Sequence, residues 1–428
     1  MFSDRTNWKL AQNRFTEALE RARAGGAKIL DLTASNPTRV GLEYDSRTIL
    51  AALGSERALD YDAQAKGLVH AREAVAGYYR DGSGHGERDV ASNVSTDAER
   101  IILTTSTSEG YSYVFRLLCN AGDELLVPKP SYPLFEFLGD LQDVKLVPYP
   151  LIYDHGWQMD FPSMEKAVSG RTRGVVVVHP NNPTGSYVRA GEVKLLNSFC
   201  RAHGLAMIVD EVFLDYRVDD SQDNSGRDTR SLHAPSDRHS PIQRLGRDDK
   251  VLRPAMSFAG NQEVLTFTLS GLSKISALPQ MKVAWVVTGG PPEEAAAAMA
   301  RLEVIADTYL SMNAPIQWAL PALLRQRKSI QRQLLERVRA NLAELDQQLA
   351  GQKACERLSM DGGWYVVLRV PVTRSDEELA VELVEEKSVL LHPGHFYDFP
   401  SDGYFVLSLI TPEADFAEGM SRTLRHLE

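Results

Sequence analysis

Lys274 closes the stretch Thr266-Phe267-Thr268-Leu269-Ser270-Gly271-Leu272-Ser273-Lys274. An apolar, β-branched run that ends in small and hydroxylated residues reads as a buried strand delivering one amine to a cleft. An amine with little water around it has a lowered pKa, so it can stay neutral and nucleophilic and form a Schiff base with a carbonyl. A lone Ser-Lys is more often a surface lysine after a strand, so the other candidate groups decide. Asp210 follows the apolar run 205–209, where an α/β sheet presents ligand-binding groups, at the carboxyl end of a strand. Asn182 stands in the turn-rich heptad 179–185 behind the β-branched run 174–178. Tyr132 lies between Pro130 and Pro133, which hold it in an extended loop suited to stacking on something planar; a core tyrosine is the plainer alternative. Thr105, Ser106, Thr107 and Ser108 open a helix. Ser106 with Glu109 fits a capping box, and the same helix start, with its free N–H groups and dipole, also suits a phosphate.

Strands and helices must alternate to bring these groups together. From 101 to 269 the chain does alternate strand-like and helix-like pieces, the pattern of βα units on a mostly parallel sheet. Strands are expected at 101–104, 125–127, 174–178, 205–209, 281–287 and 362–368. Helices are expected at 8–24, from 69, at 292–309, at 316–350 and at 376–387, the last with Ser375 and Glu378 as a capping box. The charged faces of the long helices, including Arg325, Arg327 and Lys328, read as solvated. The expected division is an N-terminal segment 1–50 packing with the small domain, a large domain 51–290 and a C-terminal small domain 291–428. Within the large domain, 217–253 is polar and aperiodic and reads as a surface insertion.

The chain has 428 residues, too many for one ordinary core, so two domains around a shared cleft are expected. Its formal charge of −10 argues against nucleic acid and acidic membranes, because phosphate surfaces need clustered Lys and Arg. A small-molecule partner is expected instead. Cys119, Cys200 and Cys355 lie far apart, which suggests neither a disulfide framework nor a metal site and fits a reducing cytoplasm. The polar N-terminus and the shortness of the apolar runs argue against a signal peptide or a membrane span.

In their order along the chain, the hydroxyl cluster, Tyr132, Asn182 before Pro-Thr-Gly, Asp210 in Asp-Glu-Val and Ser-Lys274 resemble the fold-type-I pyridoxal-phosphate aminotransferases of class I and II. The resemblance runs from about Asp31 to the C-terminus. It implies an α/β fold with a mostly parallel sheet in a large domain, helices on both faces, and a smaller α+β domain. It also implies pyridoxal 5′-phosphate as cofactor and an amino acid and a 2-oxo acid as substrates. Lys274 is then similar to the lysine that joins the cofactor as a Schiff base and later moves a proton, and Asp210 to the carboxylate on the pyridine nitrogen. Asn182 resembles the donor to the phenolic oxygen and Tyr132 the stacked ring. Ser106, Thr107 and Ser108 match the phosphate-binding helix start, and Ser273 joins the cofactor ligands. Tyr61 matches a tyrosine that reaches the phosphate of a neighbouring subunit, which implies a homodimer.

Three positions depart from that pattern. Lys282 stands where the family usually has an arginine on the phosphate, keeping the charge and losing the bidentate fork. Phe213 stands where a tyrosine usually shares the phenolic oxygen with Asn182. Val406 falls where the family usually places the arginine for the substrate α-carboxylate. The matching N-terminal loop offers Asn36 and Arg39 as substrate ligands, so Arg39 is the expected replacement. The missing arginine also keeps open a lyase, decarboxylase or synthase on the same fold, since one fold hosts many chemistries. A ligand-sensing regulator would need a basic DNA-binding module, and the residues ahead of Asp31 are of mixed charge.

Overall fold

The computed structural model describes residues 1–81, 96–218, 256–310 and 312–428; from residue 219 the expected insertion lies outside the described residues. Among the described residues, eight strands form the main sheet. In spatial order they are Ile101–Thr104, Ala284–Gly289, Thr266–Gly271, Ala206–Asp210, Thr172–Val178, Glu124–Lys129, Lys145–Tyr153 and Trp157–Met159. The run from Thr266–Gly271 to Lys145–Tyr153 is parallel throughout. Ala284–Gly289 is antiparallel to both of its neighbours. Parallel strands need crossovers, so helices cover both faces and the strands read as continuous apolar runs.

Side-chain alternation then sorts the core into two layers. Val176, Val178, Ile208 and Phe267 face one way, against Tyr111, Val114 and Phe115 of the helix Thr107–Leu118 and Met299 and Leu302 of the helix Pro292–Thr308. Val175, Val177, Met207 and Val209 face the other way, against Leu196 and Phe199 of the helix Ala190–His203 and Met164 of the helix Phe161–Ala167. Each such side chain taken out of water contributes roughly 1.5–3 kcal/mol.

A second, antiparallel sheet orders Glu356–Arg357, Tyr365–Arg369, Tyr404–Ser408 and His392–Pro393. Its core includes the helices Arg327–Leu349, Asp376–Lys387 and Glu413–Leu427, together with Phe15 and Ala18 from the N-terminal helix. The helices Pro292–Thr308 and Ala314–Arg325 behave otherwise. They lie on the C-terminal side of the expected boundary at 291, yet they pack against Thr107–Leu118 and against Val69–Asp81 of the first body.

Several local expectations are corrected. The first helix begins at Arg14, not 8, because the Asn13 side chain accepts the Thr16 N–H at 2.8 Å and caps it there. Trp8 turns back to the first body, its indole N–H 2.8 Å from Asp140 and its ring edge-on to Phe137 at 5.2 Å. The expected helix 316–350 is two helices divided at Gln326. Arg327 is buried rather than solvated, donating to the Leu324 carbonyl at 3.0 Å with its guanidinium over the Tyr78 ring. The strand expected from 281 begins at Ala284, because Pro279–Met281 forms a short helical turn and Lys282 adopts φ 54°. The capping box of Ser375 and Glu378 forms in full.

Candidate active site

The strands of the parallel run all end on the same edge of the sheet, and the candidate site is assembled there. The strand Thr266–Gly271 is buried at every position and runs into the short helix Leu272–Ile275, which carries Lys274. Two side chains fix that helix by its carbonyls. The Tyr216 hydroxyl donates to the Lys274 carbonyl at 2.5 Å, and the Gln331 amide donates to that of Ile275 at 2.9 Å. The Lys274 Nζ lies 4.9 Å from the Trp364 ring centre and 5.5 Å from that of Phe213. Burial among these rings lowers its pKa from 10.5 to about 8, opposed by the charge of Asp210, which favours the ammonium.

Asp210 ends its own strand. Its Oδ1 accepts the Val212 N–H and its Oδ2 accepts the Tyr111 hydroxyl, both at 3.0 Å. Burial raises its pKa to about 6, while those two donors and Lys274 pull the other way. Glu211 turns to the far side. There it accepts the Ser257 hydroxyl and the Phe258 N–H, each at 2.6 Å, and burial pushes it up to about 8.

The loop of Asn182 is held by a close approach of the two bodies. Gly185 sits at φ 68°, and an added Cβ would come within 2.5 Å of the Gly362 carbonyl. Its own carbonyl accepts the N–H groups of Asp361 and Gly362 at 3.0 and 2.9 Å. Among the described residues, the Asn182 amide oxygen is buried without a hydrogen-bond partner, so this oxygen is free to accept from a ligand donor. Tyr132 is 40% exposed and is not a core residue. Its loop is tied to the second body by the Ser131 N–H on the Tyr397 carbonyl and by the Lys129–Asp398 ion pair, both at 3.0 Å.

Ser106 caps the helix Thr107–Leu118, its hydroxyl accepting the Glu109 N–H at 3.2 Å. The reciprocal half of the capping box is displaced by one residue, because the Glu109 carboxylate accepts the N–H of Thr105. The first backbone N–H to reach back to the cap is that of Gly110, on the Ser106 carbonyl. The N–H groups of Thr107 and Ser108 therefore precede the intrahelical ladder and are available to an anion. Lys282 is exposed, and Ser273 is half-buried beside Lys274.

Tyr61 is 81% exposed. Phe213 is buried, 5.2 Å from Trp364. Val406 is buried at the centre of the second sheet, in register with Val367 on one side and His392 on the other. Burial lowers His392 to about 4, so this neighbour is neutral near pH 7, and its Nδ1 lies 3.1 Å from the Tyr397 hydroxyl. Neither ladder neighbour supplies a cation. Arg39 ends the helical turn Pro37–Arg39 and is exposed. The segment before it is bonded to the strand of Val406, with the Ser408 N–H on the Leu32 carbonyl at 2.7 Å.

Sequence reasoning missed Tyr111, Tyr216, Gln331 and Trp364. The signal for Tyr111 was weak: a tyrosine one turn into the hydroxyl-rich helix. Among the described residues no group of His, Cys, Asp and Glu could hold a metal ion, and no helix is long and apolar enough to cross a membrane.

The fold and the lysine–carboxylate pair at its strand ends define a fold-type-I pyridoxal-phosphate-dependent transferase. A family model described as aminotransferase class I and II matches residues 27–414, and the chain belongs to that family. It is 25% identical over 417 residues to the glutamate-pyruvate aminotransferase AlaA of Escherichia coli K12, covering 95% of this chain and 92% of the relative. To an alanine aminotransferase of Mycobacterium tuberculosis H37Rv it is 25% identical over 414 residues, covering 94% and 86%. Among solved structures, an alanine aminotransferase from Pyrococcus furiosus superimposes with a TM-score of 0.83 at 18% identity, over 100% of this chain and 99% of the other. An Escherichia coli aminotransferase gives 0.79 at 23% identity, over 100% and 98%. The protein is a pyridoxal-phosphate-dependent aminotransferase. The alternative of a lyase, decarboxylase or synthase gains nothing from these relatives.

Proposed function

We propose that this aminotransferase exchanges an amino group between an amino acid and a 2-oxo acid at a pyridoxal phosphate held by Lys274. The observation that carries the reading is the desolvated Lys274 amine, ringed by Trp364 and Phe213 and coupled to the buried Asp210. The remaining groups fit the same cofactor. The helix start at Ser106, Thr107 and Ser108, with Lys282, would hold its phosphate, as dipole, free N–H groups and charge all favour an anion. Asp210 would pair with its ring nitrogen, Asn182 would bond its ring oxygen, Tyr132 would stack on its face, and Ser273 would line its near edge.

Pyridoxal phosphate, when bound, supplies a carbonyl that condenses with amines and a ring that takes up the electron pair released at Cα. Lys274 in its neutral form would hold that carbonyl through Nζ, and the same Nζ, when free, would be the base placed to move a proton at the substrate Cα. Asp210, ionised above about pH 6, would favour a protonated ring nitrogen placed beside it. Phe213 and Trp364 exclude water from Nζ. Arg39 is assigned to the substrate carboxylate, with Asn36 shaping its loop through the Thr38 N–H. This is supported by the loop's attachment to the strand of Val406 and by the lack of a cation beside Val406 in that sheet. The names of the relatives, which mention glutamate, pyruvate and alanine, support an amino acid and a 2-oxo acid as substrates. Exposed Tyr61 supports a homodimer in which it reaches the partner's site, and three free cysteines support a cytoplasmic setting.

Borohydride reduction of the loaded protein followed by peptide mapping tests the proposal. The phosphopyridoxyl group is expected on Lys274, and Lys274→Ala is expected to lose at least about a thousandfold in turnover. Label on another lysine, or on none, overturns it.

A further inference from the structure

Tyr111 lies one turn into the helix Thr107–Leu118, its ring edge-on to Phe115 at 5.8 Å and to Phe135 at 5.4 Å. A buried phenol needs a hydrogen-bond acceptor, and most find a carbonyl. This one donates to a buried carboxylate, Asp210 Oδ2, at 3.0 Å. Two direct bonds thus hold Asp210, one to each oxygen, and the Val212 N–H on Oδ1 is the other. A backbone N–H two residues along fixes the side chain locally. Among the described residues only Tyr111 reaches it with a hydrogen bond from another element, and that element is the helix whose first turn faces the proposed phosphate site.

We propose that Tyr111 is a positioning residue of the reaction, whose hydroxyl holds the Asp210 carboxylate ionised and in a fixed orientation toward a cationic ring nitrogen. This rests on the reading of Asp210 given above. A hydrogen bond donated to an ionised carboxylate favours that form over the acid. Burial works against it, and the donors are what keep Asp210 at about 6. The charged or titratable groups that act on this carboxylate are Tyr111 from the helix, Tyr132 from the loop, Lys274 from the short helix and Glu211 beside it. Tyr111 remains a donor throughout, since burial and Asp210 push its phenol well above the ordinary tyrosine range. Its ring position also makes the removal clean, because phenylalanine keeps both edge contacts and loses only the hydroxyl.

The test measures the dissociation constant of pyridoxal 5′-phosphate across pH for the full-length apo chain in a Lys274→Ala background, which removes the Schiff base and the titration of Lys274 near 8, by quenching of tryptophan fluorescence, with thermal melting in parallel. With every other residue wild type, this chain is expected to lose affinity on the acid side, as Asp210 takes up a proton and can no longer pair with a cation. In Tyr111→Phe that acid limb is expected to move up by about one unit or more, the worth of one hydrogen bond to a charged group. Tyr113→Phe, on the same helix, is expected to leave it in place. Tyr111→His, whose ring N–H can donate, is expected to return the limb toward wild type, and it serves as the second variant if the phenylalanine form melts early. Asp210→Asn separates the two readings, since it should remove the limb altogether. If the limb survives in Asp210→Asn, the assignment of Asp210 fails. If Asp210→Asn removes it and Tyr111→Phe leaves it unmoved, the assignment stands and the role of Tyr111 is overturned.

Discussion

Burial takes Lys274 from 10.5 to about 8 even though the charge of Asp210 pulls it upward. A drop of that size multiplies the neutral fraction at pH 7 by roughly 300, from about one molecule in three thousand to about one in ten. The perturbation is Asp210→Asn in the apo chain; asparagine keeps the shape, its oxygen can accept the Val212 N–H and its amide NH2 can donate to the Tyr111 hydroxyl oxygen, so the carboxylate charge is what disappears. Asp210 is ionised at pH 8, above its own value of about 6, and its removal is felt where Lys274 titrates. Limited acetylation at a series of pH values, read by mass spectrometry of the Lys274 peptide, reports the neutral fraction. A free lysine peptide titrating near 10.4 serves as internal standard. The wild-type midpoint is expected near 8, and that of Asp210→Asn below it, because a cation that loses its anion gives up its proton more easily. A wild-type midpoint above about 10, or one that rises in Asp210→Asn, refutes the balance of burial and charge described for this site.

Arg39→Ala is expected to lower kcat/KM for the amino acid by roughly tenfold to a hundredfold, since a charge-assisted contact is worth on the order of 1.5–3 kcal/mol; unchanged constants remove Arg39 from the substrate site. In Phe213→Tyr an added hydroxyl would share the cofactor's ring oxygen with Asn182, so the pKa read from the bound cofactor's absorbance is expected to fall, and a rise refutes that placement. Glu211 is held at about 8, above its ordinary 4.5. A raised folded pKa gives stability that is complete below the unfolded value and lost as pH rises through the folded one. Melting temperature should therefore decline less between pH 5 and 8 in Glu211→Gln than in wild type, and an identical slope in the two proteins counts against the assignment.

Much of the scaffold was legible because its causes are local. The runs 174–178 and 205–209 carry their burial in their composition; the observed strand Thr172–Val178 extends the first by two residues and Ala206–Asp210 shifts the second by one. Ser375 and Glu378 satisfy each other across one turn, which needs nothing from elsewhere in the chain. The helix start at Arg14 was misplaced because Leu10 and Trp8 suit the helical period, whereas Asn13 and the docking of Trp8 on Asp140 decided otherwise. Arg327 looked like part of a solvated face, since nothing nearby in sequence announces that the Tyr78 ring will cover its guanidinium.

By itself the sequence determined the order of the chemical groups and the strands that deliver them: a hydroxyl-rich helix start, Tyr132, Asn182, Asp210 and Lys274, most of them just beyond a buried or proline-marked segment. Parallel strands place their carboxyl ends on one edge, so residues far apart in number were bound to meet there. What only the tertiary structure decided is how each group is tuned. Asp210 depends on Tyr111, 99 residues away, and Asn182 on a glycine contact between two bodies. Lys274 owes its lowered pKa to its burial beside Trp364, which precedes a strand of the second sheet, and Phe213 from the loop after Asp210. Desolvation and hydrogen bonding act over a few ångströms of space whatever the separation along the chain, and so they leave no periodicity, cap or turn by which a sequence could show them.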